Sequence, residues 1–176
     1  MDKNFAYSKE DEGFEKLEHF NKNFLKLENL TRTPKNHPTC DASGITSIGD
    51  VLNIEIKLRN QVLLDNNTVS GLTTYNKQYT ASTLYIDLNK ASDLLLDYVV
   101  YQREPLYVNF LANDYVVVYN LVKLKKRPKD VVKKVWSNLY QEEQIERRTE
   151  LPLDEAFIYK KEGDNYILVY GPTNAK

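Results

Sequence analysis

Apolar residues recur at Phe14, Leu17, Phe20, Phe24 and Leu27, and these spacings of three and four predict an amphipathic helix over residues 9–28. Ser8, with Asp11 three residues on, approximates a capping box, and Glu10, Asp11 and Glu12 suit the positive end of a helix dipole. The two prolines of TRTPKNHPTC end that pattern. Asp41-Ala42-Ser43-Gly44 and Ser47-Ile48-Gly49-Asp50 read as turns bracketing a short edge strand, ahead of a stronger strand from Val51 to Leu58. Residues 60–80 are polar and rich in Asn and Thr, which predicts a long loop of the functional or mobile kind.

A strand over residues 83–88 follows, then a helix capped by Asn89 that carries Ala91, Leu94, Leu95, Tyr98 and Val99 and stops before Pro105. Two strands, 106–111 and 115–121, are joined by the turn Ala112-Asn113-Asp114. The order is helix, three strands, helix, two strands. Beyond residue 122 the pattern predicts a helix over 130–140, with Val131, Val132, Val135, Trp136 and Leu139 on its apolar face. A charged stretch, Gln141 to Gln144, leads to a hairpin of 156–159 with 166–170. The expected organisation is a core of residues 1–122 with an accessory helix and hairpin, 123–176, packed on it.

Composition narrows the function classes. A chain of 176 residues with 41% hydrophobic content is one domain able to bury a core. No apolar run approaches bilayer length, and the acidic, polar N-terminus lacks the features of a signal peptide, so a cytoplasmic protein without a membrane partner is expected. One cysteine, Cys40, and two histidines, His19 and His37, exclude an internal disulfide and a closed zinc site. Net charge is -1, yet it is unevenly spread. Lys123, Lys125, Lys126, Arg127, Lys129, Lys133 and Lys134 face a single Asp130 over residues 123–134, whereas Glu10, Asp11, Glu12, Glu15 and Glu18 crowd residues 10–18. The basic run reads as a solvated face or, beside a metal site, as a patch for phosphates, with Lys123, Lys125, Lys126 and Arg127 the nucleic-acid contacts.

The chemistry concentrates in Asp41 and in Ile54-Glu55-Ile56-Lys57. Alternation along a strand puts Glu55 and Lys57 on one face and Ile54, Ile56 and Leu58 on the other. Two carboxylates and an ammonium could thus share one pocket, the minimum set for holding a divalent cation on oxygen and placing a positive charge beside water or phosphate. A mid-strand glutamate between isoleucines is costly unless paired or metal-bound. The bland alternatives are an Asx-turn at Asp41 and a solvated Glu55–Lys57 ion pair.

This motif on this element order resembles the PD-(D/E)xK nuclease superfamily, in its restriction-endonuclease-like and Holliday-junction-resolvase-like branches, over residues 9–121. Thirteen residues separate Asp41 from Glu55, and the proline that often precedes the first acid is absent, the chain reading Pro38-Thr39-Cys40-Asp41. The resemblance implies an α/β fold with an αβββαβ core, a central mixed sheet flanked by helices. It implies Mg2+ or Mn2+ held by Asp41, Glu55, the carbonyl of Ile56 and a helix-1 glutamate, with Lys57 assisting the attacking water. Helical geometry favours Glu18, at the margin of the apolar stripe, over Glu15, almost opposite its centre; Glu15 stays open. The implied substrate is DNA, with a homodimer left open. The rival is a catalytically inactive nuclease-like fold that binds DNA or protein. His19, His37 and Cys40 read as structural, and the 13 tyrosines and Trp136 as core rather than as base-stacking surfaces.

Overall fold

The computed structural model describes residues 3–34, 39–73, 76–137 and 142–172. His37 and Pro38, and Leu139 to Gln141, lie outside the described residues. In chain order the elements are α1 (Lys3–Phe20), a π-turn (Asn21–Leu25), β1 (Glu28–Arg32), β2 (Ala42–Ile45), β3 (Val51–Leu58), β4 (Val62–Leu63), β5 (Val69–Leu72), β6 (Gln78–Ala81), β7 (Thr83–Asp87), α2 (Leu88–Tyr101), β8 (Glu104–Phe110), β9 (Tyr115–Asn120), β10 (Lys129–Ser137), β11 (Glu142–Pro152), a short 3-10 turn (Leu153–Glu155), β12 (Phe157–Glu162) and β13 (Asn165–Tyr170).

A sheet of order β1-β2-β3-β8-β9-β12-β13 forms the centre among the described residues. Only β3 and β8 run parallel in it, with Ile54 opposite Leu106 and Lys57 opposite Asn109, and their connection carries α2. The others pair antiparallel. With β4 to β7 set aside, α1, β1, β2, β3, α2 and β8 follow one another in the αβββαβ order expected from the sequence, and the fold is mixed α and β with a mostly sheet core.

The helix expected to run to residue 28 ends early. Asn21 folds its side chain back on the chain, accepting the Leu27 N–H at 2.7 Å and donating to the Leu27 carbonyl at 3.1 Å, and Lys26 takes a left-handed φ of 58°. The chain reverses there and β1 begins at Glu28, the residue at which the helix was expected to end, so the outermost core strand is an element the periodicity gave no sign of. The strand expected at residues 83–88 forms, but as β7 it joins a second sheet of order β10-β11-β7.

Other expectations are corrected. Residues 60–80 are not a loop: β4, β5 and β6 form a small antiparallel sheet, its turns made possible by Asn67 and Asn76 at φ of 55° and 56°, the left-handed region that Asn tolerates. Of the helix expected over 130–140, the described part, residues 130–137, lies in strand β10, paired with β11 from Lys129 opposite Glu150 to Ser137 opposite Glu142. Its valines favour extended backbone, and cross-strand charge pairs such as Lys133 with Glu150 at 2.7 Å reinforce it. The cap of α2 is Asp87, which accepts the N–H groups of Asn89 and Lys90, rather than Asn89. The C-terminal hairpin β12–β13 forms as expected and extends the central sheet through β9. No helix among the described residues is long and apolar enough to cross a membrane.

The central sheet is covered on both faces. On one, Leu17 and Phe20 of α1 pack on Ile54, Val108, Val116 and Tyr159; on the other, Leu84, Ile86, Leu94 and Leu151 pack on Tyr107, Val117 and Tyr119. Phe20 is fully buried, its ring 4.7 Å from that of Tyr166 and 5.5 Å from that of Tyr159. His19 beside it meets the Tyr166 hydroxyl at 2.9 Å, a structural tie between α1 and β13. Phe20→Ala is therefore expected to lower stability by about 3–5 kcal/mol in urea unfolding. Phe24→Ala, whose ring is 36% exposed, should cost less than half as much; equal costs would contradict this packing of α1.

Candidate active site

Asp41 stands where β2 starts, and it continues the ladder by its side chain. Its N–H donates to the Ile54 carbonyl at 2.9 Å, and its Oδ2 accepts the Ile56 N–H at 2.8 Å. The pairing of β2 with β3 goes no further than Ala42 opposite Ile54. A strand residue directs its N–H and C=O to the same side, so the Ile56 carbonyl also faces the side where β2 has ended. The local sequence thus fixes one carboxylate and bares one backbone oxygen at the same place.

Glu55 follows on the opposite face of β3. Lys90, in the first turn of α2, puts its Nζ 3.2 Å from Glu55 Oε2. That ion pair misses the geometry of a hydrogen bond, and Oε2 is buried without accepting one from any described residue. Burial pushes the Glu55 carboxyl up to about 8, the Asp41 charge pushes in the same direction, and Lys90 opposes both. At neutral pH the Glu55 carboxyl therefore keeps its proton. Burial likewise raises the neighbouring Cys40 thiol, to about 11, so it stays a neutral, inert filler.

Two clefts meet at this strand end. One, of about 370 Å3, lies between α1 and the end of β3 and is lined by Glu10, Gly13, Arg32, Asp41, Ile56 and Lys57. The other, of about 460 Å3, is lined by Glu55, Lys57, Tyr85, Lys90, Tyr107 and Arg148. Lys57, exposed, borders both. Gly13 permits the first cleft's tight floor, since a Cβ there would lie 3.2 Å from Ile56 Cγ2.

Asp41, Glu55, Ile56 and Lys57 are thus brought together as the sequence suggested. Glu18 is not: it is exposed on α1 and lines neither cleft, and Glu15 is exposed too. The helix-1 acid at the cleft is Glu10, with its carboxylate 3.7 Å from Arg32. Stepping back four residues from Phe14 along the apolar stripe would have found it. The basic run is also elsewhere. Lys123 pairs with Glu104 at 2.8 Å and Lys126 with Asp154. Glu104 opens β8 five positions before Asn109, the partner of Lys57, which places the run at the other end of the strand, about 16 Å away. Sequence reasoning gave Lys90 no role, although its position in the first turn of a helix following β7 was visible.

A divalent cation suits this donor set. Among the described residues there is no cluster of three or more His, Cys, Asp or Glu arranged for a metal. Mg2+ needs only one or two carboxylates beside water and phosphate oxygens, and Asp41, Glu55 and the Ile56 carbonyl are hard oxygen donors of that kind. The buried Glu55 Oε2, which accepts no hydrogen bond from a described residue and has the Lys90 ammonium 3.2 Å away, is an oxygen of the kind a cation takes.

No protein-family model matches this chain, and no curated protein matches it in sequence. Among solved structures it is similar to a Holliday junction resolvase from the archaeal hyperthermophile Archaeoglobus fulgidus, with 11% identity over 77% of this chain and 86% of that chain and a TM-score of 0.44. That likeness is too distant to transfer function.

The raised Glu55 carboxyl has a signed consequence for stability. Between about pH 5 and 8 the folded protein keeps a proton that the unfolded chain has released, so stability falls as pH rises, by up to ~1.4 kcal/mol per pH unit. Urea unfolding in EDTA at several pH values should show this slope and Glu55→Gln should lose it. An unchanged slope in the variant would place the titration elsewhere.

Proposed function

We propose that this protein is a divalent-metal-dependent nuclease that hydrolyses phosphodiester bonds in DNA. The observation that carries the reading is the buried Glu55 oxygen without a hydrogen bond, next to Asp41 and at the junction of two open clefts that share Lys57. Asp41, Glu55 and the Ile56 carbonyl would hold Mg2+ or Mn2+, which when bound supplies Lewis-acid polarisation of the phosphate and a more acidic water.

The residues of the chain do the rest. The Ile56 N–H pins the Asp41 carboxylate, so its second oxygen is aimed without cost in side-chain freedom at the moment of reaction. Lys57 presents an ammonium at the mouth of both clefts, where it would neutralise charge developing on the phosphate or orient the attacking water. Lys90 keeps Glu55 in place from the α2 side. Lys123, Lys125, Lys126 and Arg127, about a strand length away, would form a distal contact with the backbone of a bound duplex.

A second reading has one observation in its favour. Lys90 already gives Glu55 a positive partner, so the acid needs no metal for charge balance, as in a fold that binds DNA without cutting it. The two readings separate in one experiment. The purified protein is expected to nick or cleave DNA with Mg2+ or Mn2+ and to be silent in EDTA, with Lys57→Ala lowering the saturating turnover by about a hundredfold or more. Cleavage that survives chelation contradicts the metal reading, and DNA binding without cleavage under any metal favours the second. Neutralising Lys125, Lys126 and Arg127 together should weaken DNA binding and flatten its salt dependence while sparing saturating turnover; a loss confined to turnover would give these residues a different role.

A further inference from the structure

The two clefts that meet at Lys57 are furnished alike. In the first, the Arg32 guanidinium lies over the Phe14 ring at 5.8 Å, with Asp11 at 2.5 Å and Glu10 at 3.7 Å from its nitrogens. In the second, Arg148 lies over the Tyr85 ring at 3.9 Å, and its Nε donates to Glu146 at 2.6 Å. Buried Arg59 stacks on Tyr85 as well, at 4.5 Å, which holds that ring in place. A guanidinium is a flat group with N–H donors around its rim and two open faces. In both clefts a carboxylate takes part of the rim and an aromatic ring takes one face. The other face is left for an occupant of the cleft.

Charge and size say what that occupant is. Each arginine already has a carboxylate partner, so a phosphate set against it would meet an acid of like charge, whereas a neutral planar ring would not. Nucleobases stack on guanidinium planes as they do on aromatic side chains. At about 370 and 460 Å3 both clefts sit at the lower end of the small-ligand range of about 300–1,000 Å3, with room for one nucleoside each. A duplex, whose major groove alone is about 12 Å wide, does not enter such a cleft, and its paired bases keep their faces on one another. Lys57 borders both clefts, with Asp41 in the first and Glu55 in the second. The phosphate linking two nucleosides, one seated in each cleft, therefore falls at the proposed metal site.

We propose that each cleft seats one unpaired base, stacked on Arg32 in one and on Arg148 in the other, so that the substrate is a DNA strand single-stranded where it crosses the site. The proposal rests on the nuclease reading only for the place of the linking phosphate. A duplex that reaches the distal basic run is compatible with it where the strands have separated before the clefts.

Fluorescence anisotropy of the full chain with labelled DNA probes of about twelve nucleotides tests it, in EDTA and again with Ca2+. Oligothymidine is expected to bind at least tenfold more tightly than a blunt duplex of equal length, and at least tenfold more tightly than the same backbone carrying abasic sites throughout. Arg32→Ala and Arg148→Ala should each weaken oligothymidine binding about fivefold or more while leaving its salt dependence unchanged, because a stack and not a phosphate contact is lost. Arg32→Lys, which keeps the charge without the plane, should not restore affinity. Arg32 stands outside the Tyr85 column, so its variants carry the test even where circular dichroism shows Arg148→Ala to disturb the fold. Equal affinity for the abasic backbone, a preference for duplex, full rescue by lysine or no single-strand binding in either buffer overturns the proposal. Arginine-dependent binding of single strands by a protein that cleaves no DNA with Mg2+ or Mn2+ keeps the two base seats and removes the nuclease reading alone. Metal-dependent cleavage of duplex and single strand alike, unaffected in both arginine variants, does the reverse.

Discussion

The placement of the Glu55 carboxylate in the interior, within electrostatic reach of Asp41, is the constraint around which the structure is organised. Leaving an acid there is unfavourable in either protonation state: ionised, it lacks water and faces a like charge; neutral, it still carries an oxygen that accepts no hydrogen bond. The surrounding elements each relieve part of that cost. Asp41 takes a backbone N–H where β2 stops, and α2 brings Lys90 to the other side. A second polar contact, Asn53 to Asp97 at 2.5 Å, holds α2 on the same face of β3. The two contacts sit at i and i+2 on the strand, so the alternation that aims Glu55 also docks the helix that steadies it.

Beneath the site a buried cation does similar work with no acid partner among the described residues. Arg59 is 8% exposed and gives its hydrogens to the Asn109 side chain at 2.8 Å, the Tyr107 hydroxyl at 2.7 Å and the Tyr85 carbonyl. Its guanidinium stacks on the Tyr85 ring at 4.5 Å, and Arg148 stacks on that same ring at 3.9 Å. This column ties β7 of the second sheet to β8 of the central one, and so sets the walls of the cleft that contains Glu55. Its donors are shared among neutral acceptors, which suits a charge whose removal from water has to be offset by many bonds at once.

How much of this the sequence made legible follows from how local each signal is. The alternation at Ile54-Glu55-Ile56-Lys57 and the acid before the preceding strand are read within one strand's length, and both are where the pattern put them. The hairpin β12–β13 was legible for the same reason, with Gly163 supplying the positive φ of its turn. Glu10, the helix-1 acid that lines the cleft, was passed over because the apolar stripe was followed forward from Phe14, whereas Gly13, one turn from Glu10, lies against Ile56 of β3. The end of α1 was misjudged because a single side chain, Asn21, reverses the chain against a stripe that continues through Phe24 and Leu27. The second sheet was invisible to any window: β7 pairs with β11, Leu84 opposite Leu151, and only the tertiary fold joins segments so far apart. The valines of β10 suit either period until that partner is known.

The central claim is that the Asp41 and Glu55 oxygens form a divalent-cation site, and the direct measurement is a crystal of the protein soaked in Mn2+ with data collected for anomalous scattering. The account predicts a strong anomalous peak within bonding distance of a carboxylate oxygen of both Asp41 and Glu55, together with movement of Lys90 away from Oε2. A soaked crystal in which Lys90 still holds Glu55 and no peak lies between the two acids would contradict it.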